Sequence, residues 1–307
     1  MRTQEALVGG ALGHYHLIND AEIPNPDPDM MLCKVAVVAL NPADAKMVDF
    51  SATPGSVGGN NFAGEVIEVG DDVTRLRKGD RIFAMSFELN PSNKTTGAFG
   101  TYALASADLS CKIPDWMSYE EASTMGVAVG TAGTALFQAL ELPLPTSPAK
   151  KPFAAETFDY HSPTCGTEIR VYTGNALAHV LDCVTDAATM KICYEGIGTA
   201  GGKYIALDPF ATHVQYTRRE VQANWLMIYS LFGKPVKLAG VYGRPASPED
   251  RGFAARLFPI AEQLLSQGLL KPHPIEIRSG GLKGITDGIE DLRKGRVRAK
   301  KLVYPVA

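Results

Sequence analysis

Six residues, GIGTAG from Gly196 to Gly201, match the glycine spacing that cradles a dinucleotide pyrophosphate. That chemistry needs a strand before the first glycine and a helix after the last, so that free N–H groups of the helix N-terminus meet the phosphate oxygens. Here the order is reversed. DAATMKICYEGIG reads as a helix and KYIAL as a strand, so the glycines read as a helix C-cap and a turn. Metal chemistry is no better served: Cys33, Cys111, Cys165, Cys183 and Cys193 include no C-x-x-C pair. The six histidines show no metal-like pairing, although His14 and His16 are spaced to share one strand face. An odd cysteine count also speaks against a disulfide framework and for reduced cytosolic thiols. The pair that remains on position alone is Leu207–Asp208 after KYIA. It lies at the carboxyl end of a strand, the edge where doubly wound sheets bind ligands.

The elements that must position these residues fall into two styles. LCKVAVVAL (32–40), NNFAGEVIEVG (60–70), GDRIFAM (79–85) and GAFGTYALAS (97–106) are closely spaced strands bounded by Gly, Asp and Pro, the pattern of a small barrel or sandwich. LNPSNKTTG (89–97) between them is a loop by composition. Ser118 followed by Glu121 has capping-box spacing and opens a helical stretch, and a second helical stretch ends at Leu142. Helical TEIRVYTG, strand HVLDCV, helical DAATMKICYEGIG and strand KYIALD then alternate as in a doubly wound sheet. Ser247 and Pro248 open a later helix with Phe253, Leu257, Leu264 and Leu265 on its apolar side, a kink expected at Pro259, and a stop at Gly268. Ile285, Ile289 and Leu292 mark a final helix, and KKLVYPV a closing strand.

With 307 residues, 45% hydrophobic and 21% charged, the chain is long enough for two domains with sizeable cores. A net charge of −3 gives no electrostatic reason to expect nucleic acid or an anionic membrane as partner. ALVGGALG is too short and glycine-rich for a signal-peptide core, and no apolar run approaches the ~20 residues of a membrane helix. A soluble, cytoplasmic protein is expected.

NPADAK, NNFAGEVIEVGDDVTRLRKGDRIFA, GAFGTYA, KIPDWMSYEEAS and GTAGTAL, in that order, resemble the zinc-independent medium-chain dehydrogenase/reductases of the quinone-oxidoreductase-like group. ETFDYHSP, LDCVTDAATM, GTAGGKYIALDPF and YGRP narrow the likeness to fungal trans-acting enoyl reductases. The resemblance implies an α/β chain with a GroES-like, β-rich catalytic domain over 1–125 and a doubly wound, Rossmann-type cofactor domain over 126–270. A C-terminal return to the catalytic domain over 271–307 completes it. The implied reaction is NADPH-dependent reduction of an α,β-unsaturated acyl chain carried by a highly reducing polyketide synthase or a synthase–synthetase hybrid, by a monomeric protein. A quinone or enone reductase and a non-catalytic synthase-binding protein are the alternatives. Zinc-dependent relatives carry a glycine-histidine-glutamate motif where this chain has FAGEV, in which Ala63 precedes Gly64–Glu65 with no histidine, and a cysteine early, where NPAD has none. Catalytic zinc needs three protein ligands, so no metal is expected.

The resemblance also assigns residues. Asn41, Pro42, Ala43 and Asp44 would lie against the nicotinamide ribose, with Lys46 bonding the ribose or helping to supply a proton; a surface lysine is the plainer reading. Gly126, Val127, Ala128, Val129, Gly130, Thr131, Ala132 and Gly133 would face acyl chain and cofactor, with Thr131 donating to a phosphate, a nicotinamide group or the acyl carbonyl. Close packing through small residues explains those glycines equally well. Ile228, Tyr229, Ser230, Leu231 and Phe232 would line the acyl pocket, or simply fill a core. Tyr160, Leu207, Asp208, Val297 and Arg298 would approach the cofactor.

One part of the pattern is missing. After the connector PLPTSPAKKP a strand, a glycine-rich loop, a helix and a second strand should follow, and such a unit takes ~30 residues or more. Instead KKPF, readable as the start of the first strand, runs into AAETFDY, readable as the entry to the third. The Rossmann-type domain is thus expected to lack its first βαβ unit at the join between Phe153 and Ala154. The chain is then a truncated form of a normal reductase, a variant that binds cofactor poorly, or a non-catalytic partner.

Overall fold

The computed structural model describes residues 2–146 and 156–306. The Phe153–Ala154 join, with KKPF and the first residues of AAETFDY, lies outside them.

In chain order the elements are β1 (Thr3–Gly9), β2 (Tyr15–Glu22), β3 (Met30–Ala39), α1 (Pro42–Ser51), β4 (Asn61–Val69), β5 (Arg81–Met85), β6 (Tyr102–Ser106) and β7 (Ser110–Lys112). Next come α2 (Tyr119–Ala122), α3 (Gly126–Gly133), α4 (Cys165–Tyr172), β8 (His179–Asp182), α5 (Ala187–Gly196), β9 (Gly202–Ala206), α6 (Thr212–Gln215) and β10 (Val221–Trp225). The remainder are α7 (Pro248–Ser266), β11 (Ile275–Ile277), α8 (Gly281–Arg293) and β12 (Lys301–Pro305). They form two compact units, Met1–Gly130 with Tyr229–Ala307, and Thr131–Ile228. The helix α7, placed by sequence in the 126–270 span, packs in the first unit against β7 and the turn before it.

The first unit is built around β3. Its outer residues Met30–Lys34 pair with β6, Val37–Ala39 pair with β12, and β4 runs along its other side. A mixed sheet of order β11-β12-β3-β4-β5-β7 results, beside a β1–β2 ribbon. Phe62, Phe83, Phe99, Met31, Val38 and Ile82 are buried in its core, and α8 seals one end with Leu282, Ile285 and Ile289. The apolar spacing read from sequence on α8 is therefore its buried face. The helix α7 starts at Ser247, whose hydroxyl accepts the Asp250 N–H, continues through Pro259, and ends before Gly268 at φ +68°. Leu264 is only half-buried, and the buried stripe instead runs through Phe253, Ala254, Leu257, Phe258, Ala261 and Leu265.

The second unit holds a parallel sheet, β8-β9-β10, with α5 and α6 as crossovers. Its core is Met190, Tyr194, Ile197, Tyr204, Ala206, Val214 and Val221. GIGTAG behaves as the flanking elements predict: α5 ends at Gly196 and β9 begins at Gly202. A Cβ on Gly198 would meet the Asn175 carbonyl oxygen at 2.2 Å, and Gly201 sits at φ +86° against the Glu220 carbonyl. These glycines serve a tight turn. The described part of AAETFDY, Glu156–Tyr160, forms no strand, contrary to its sequence reading. Among the described residues β8 pairs only with β9, so no inner strand stands beside it to extend the sheet.

Candidate functional site

A closed polar network lies inside the first unit. It begins at the N-terminus of α1, where Asn41 is extended and Pro42 takes the first helical position, which needs no N–H donor. Asp44 then falls in the first turn, where a carboxylate suits the helix dipole. Its Oδ2 accepts the Asn41 backbone N–H, and the Asn41 amide at 3.2 Å. Its Oδ1 accepts the Asn60 N–H at 3.2 Å and the Asn60 amide at 2.9 Å. The same Asn60 amide group donates to Glu88 Oε1 at 2.5 Å, so one side chain bridges two carboxyl groups. Glu88 Oε2 accepts the Gly59 N–H at 2.9 Å and meets the Tyr15 hydroxyl at 3.1 Å. Tyr229 closes this side by donating to Asn60 Oδ1 at 2.8 Å while its ring stacks on Phe87 at 4.0 Å.

On the other side Lys301 Nζ donates to Asn41 Oδ1 at 2.5 Å and to the Thr124 carbonyl at 3.3 Å. Asn61 donates to the same Asn41 oxygen at 3.1 Å and accepts the Val127 N–H at 2.7 Å. Asp44 and Glu88 are fully buried. Burial without a partner would cost a carboxylate several kcal/mol, which is why each oxygen here has donors. Desolvation raises the Asp44 carboxyl to about 6, against the lowering pull of its hydrogen bonds and Lys301. Burial, then the nearby Asp44 charge, hold Glu88 well above the usual carboxylate range. Lys301 is lowered to about 8 by burial, partly offset by Asp44.

Several residues assigned from sequence meet in this network: Asn41, Asp44, Val127 and Tyr229. The side chains of Asn41 and Asp44 point inward, while Pro42 and Lys46 of the same segment are exposed. Gly126 is packed so closely that a Cβ would lie 2.4 Å from the Ala84 carbonyl oxygen, so at this position the packing reading accounts for the glycine. Leu231 is buried, and Ile228, Ser230 and Phe232 are half-buried, in a single helical turn, Ile228–Phe232. Val297 packs against the first unit's core and Arg298 is exposed. Tyr160, Thr131, Leu207 and Asp208 belong to the second unit; Tyr160 is exposed and its ring lies 3.9 Å from His161.

Sequence reasoning missed Tyr15, Asn60, Asn61, Glu88 and Lys301. Three left a signal. Glu88 is the lone charge in the apolar run IFAMSFEL, and Asn60 and Asn61 stand side by side where β4 opens, ahead of its apolar Phe62 and Ala63.

The described residues of the second unit do not fit a dinucleotide pyrophosphate. Its longest helix, α5, is capped by Asp186, which accepts the Thr189 N–H at 2.8 Å. The turn before it is held by Asp182, whose Oδ1 accepts the Val184 and Thr185 N–H groups. At α4 the Glu168 carboxylate bonds the Ser162 and Thr164 hydroxyls. A phosphate would meet carboxylates at both helix N-termini. No group of three or more His, Cys, Asp or Glu side chains among the described residues is arranged to hold a metal, and none of their helices is long and apolar enough to cross a membrane.

Comparison with known proteins places this geometry. The alcohol dehydrogenase GroES-like domain matches residues 27–115. A trans-enoyl reductase of Gibberella fujikuroi is 48% identical over 344 positions, spanning 99% of each chain. The trans-enoyl reductase grgB of a Penicillium species is 45% identical over 345 positions, spanning 99% of this chain and 98% of the relative. In fold, the crystal structure of the CurK enoyl reductase superposes with a TM-score of 0.74 at 14% identity, covering 99% of both chains. A 344-position alignment against a chain of 307 leaves at least 37 positions with no residue here.

Proposed function

Because the chain belongs to the trans-enoyl reductase family, we propose that its function is reduction of the α,β-double bond of polyketide intermediates presented by a partner synthase, with NADPH as hydride donor. The observation that carries this reading is the 48% identity running from end to end of both chains. The same family and the medium-chain reductase fold support a nicotinamide nucleotide as cofactor; the resemblance supports a monomer, and the odd, unpaired cysteine count supports a cytoplasmic setting. Asn41 and Asp44 hold the first turn of α1, and the exposed Pro42 and Lys46 are the groups that turn offers to a ligand.

The second unit qualifies that function for this polypeptide. The relatives' alignments carry about a βαβ unit's worth of positions that this chain lacks. The carboxylate-capped helices α4 and α5 offer no substitute pyrophosphate site. We place the loss at Phe153–Ala154 and expect the chain to bind NADPH weakly or not at all. The alternative these observations favour is a non-catalytic protein that still docks the synthase.

Purified chain is assayed for NADPH oxidation with a carrier-bound enoyl thioester, before and after a relative's βαβ unit is inserted between Phe153 and Ala154. Turnover only after insertion is the expected result. Silence in both forms, with the inserted protein folded, rejects the enoyl-reductase reading. Faster turnover of a free quinone than of the enoyl thioester replaces it with quinone reduction.

A further inference from the structure

We propose that Lys301 is a positioning residue: its ammonium fixes the Asn41–Asp44 turn and, through Asn61, the first turn of α3. That these turns face cofactor and acyl chain rests on the enoyl-reductase reading; the positioning itself does not.

Strand register brings Lys301 to this place. β12 runs antiparallel to β3 with Val303 opposite Ala39, and the Leu40 N–H donates to the Leu302 carbonyl at 2.9 Å. The next residue outward on each strand is Lys301 and Asn41. An ammonium can only donate, so it dictates which end of the Asn41 amide faces it. With Oδ1 turned to Lys301, the Asn41 NH2 group faces Asp44. The Asn61 NH2 group then faces the same Asn41 oxygen, and its own oxygen faces the Val127 N–H. One charge thus orders two amides and the start of a helix. The groups facing Asp44 are Tyr15 from β2, Glu88 after β5, Tyr229, and Lys301 from β12, and Lys301 is the cation among them. Without it a buried carboxylate has only neutral donors, and it takes up a proton more readily.

The test uses the full-length chain and needs no turnover, so its failure is separate from failure of the functional reading. Urea stability is measured from pH 4 to 8 for wild type, Lys301→Met, Asp44→Asn and the double variant, with hydrogen exchange at Val127. In wild type stability falls as pH rises above about 4, because the native state holds protons on Asp44, up to about pH 6, and on Glu88 that the unfolded chain has released. The Asp44 share of that fall is the difference from the matching Asp44→Asn variant; in Lys301→Met this share extends beyond pH 7, and the Val127 amide exchanges at least tenfold faster while β4 amides do not change. In the Asp44→Asn background the substitution no longer moves the pH profile. If Lys301→Met fails to fold, Lys301→Gln, which keeps a donor but no charge, should extend the fall with pH while leaving Val127 protected. A uniform loss of stability at every pH, with Val127 exchange unchanged in Lys301→Met, or an unmoved profile in Lys301→Gln, would reduce Lys301 to a packed stem and overturn the proposal.

Discussion

The two compact units treat their difficult residues in different ways. The first buries two carboxyl groups and an ammonium within a network whose oxygens all have donors, inside a sheet whose central strand has partners along its length. The second, among its described residues, buries one carboxylate, Asp182, held by the turn after β8 and by Tyr204, and leaves Val171 74% exposed, Val184 62% and Tyr216 75%. Parallel sheets are ordinarily covered on both faces and buried at their centre. Among the described residues β8 pairs only with β9 and its Val180 and Leu181 are half-exposed, as the proposed loss of inner strands would leave them. On that proposal, one unit loses part of a layer while the first keeps its own buried contacts.

The largest expected effect contrasts cores with surfaces. Phe83 is fully buried between β4 and β7, and Phe83→Ala should cost about 3–5 kcal/mol. Val171→Ala, at an exposed apolar position, should change stability by no more than about 0.5 kcal/mol. Urea denaturation of both variants measures the difference. A cost above about 2 kcal/mol at Val171 would mean that this patch is covered in solution, and the contrast would fail.

The next effect isolates the buried charge. Raising the Asp44 carboxyl from its ordinary range to about 6 makes its ionisation a destabilising event. Its native proton is held above the pH at which the unfolded chain releases it, so stability declines between about pH 4 and 6 by roughly 2 kcal/mol from this group. Asp44→Asn should remove the Asp44 part of that slope and leave the part carried by Glu88, seen in urea midpoints across the range. An undiminished slope in the variant would assign the whole of it to Glu88, the other buried carboxyl group.

Why this centre was only half legible follows from the same residues. The closely spaced strands bounded by Gly, Asp and Pro, the Ser118 and Ser247 caps and the reversed context of GIGTAG are local signals, and they agree with the elements formed because backbone preference and burial agree there. The network is not local. Glu88 is the residue before a loop rich in Asn, Pro and Ser, and Lys301 ends the basic run RVRAKK, which reads as a solvated face. Only the β3–β12 register carries that lysine to Asn41. Asn41 and Asp44 were singled out, but as groups facing outward; their inward orientation depends on Asn60, 16 residues beyond Asp44. The ribbon strands β1 and β2 went unread because their burial does not alternate cleanly.

The smallest effects come from removing one hydroxyl in each unit. Tyr229→Phe and Tyr204→Phe each delete a 2.8 Å hydrogen bond from a buried ring, to Asn60 Oδ1 and to Asp182 Oδ2 respectively. A bond to a carboxylate is ordinarily the stronger, which favours the larger loss at Tyr204. What remains afterwards reverses the order. Asp182 keeps the Val184 and Thr185 N–H groups and the Thr189 hydroxyl, whereas the Asn60 oxygen has no second donor among the described residues. A buried acceptor left without a partner bears its whole desolvation penalty. Tyr229→Phe should therefore cost about 2 kcal/mol and Tyr204→Phe about 1 kcal/mol, read from urea midpoints at one pH. The opposite ranking would mean that water reaches Asn60 once the hydroxyl is gone, and that the polar centre of the first unit is less closed than its hydrogen bonds imply.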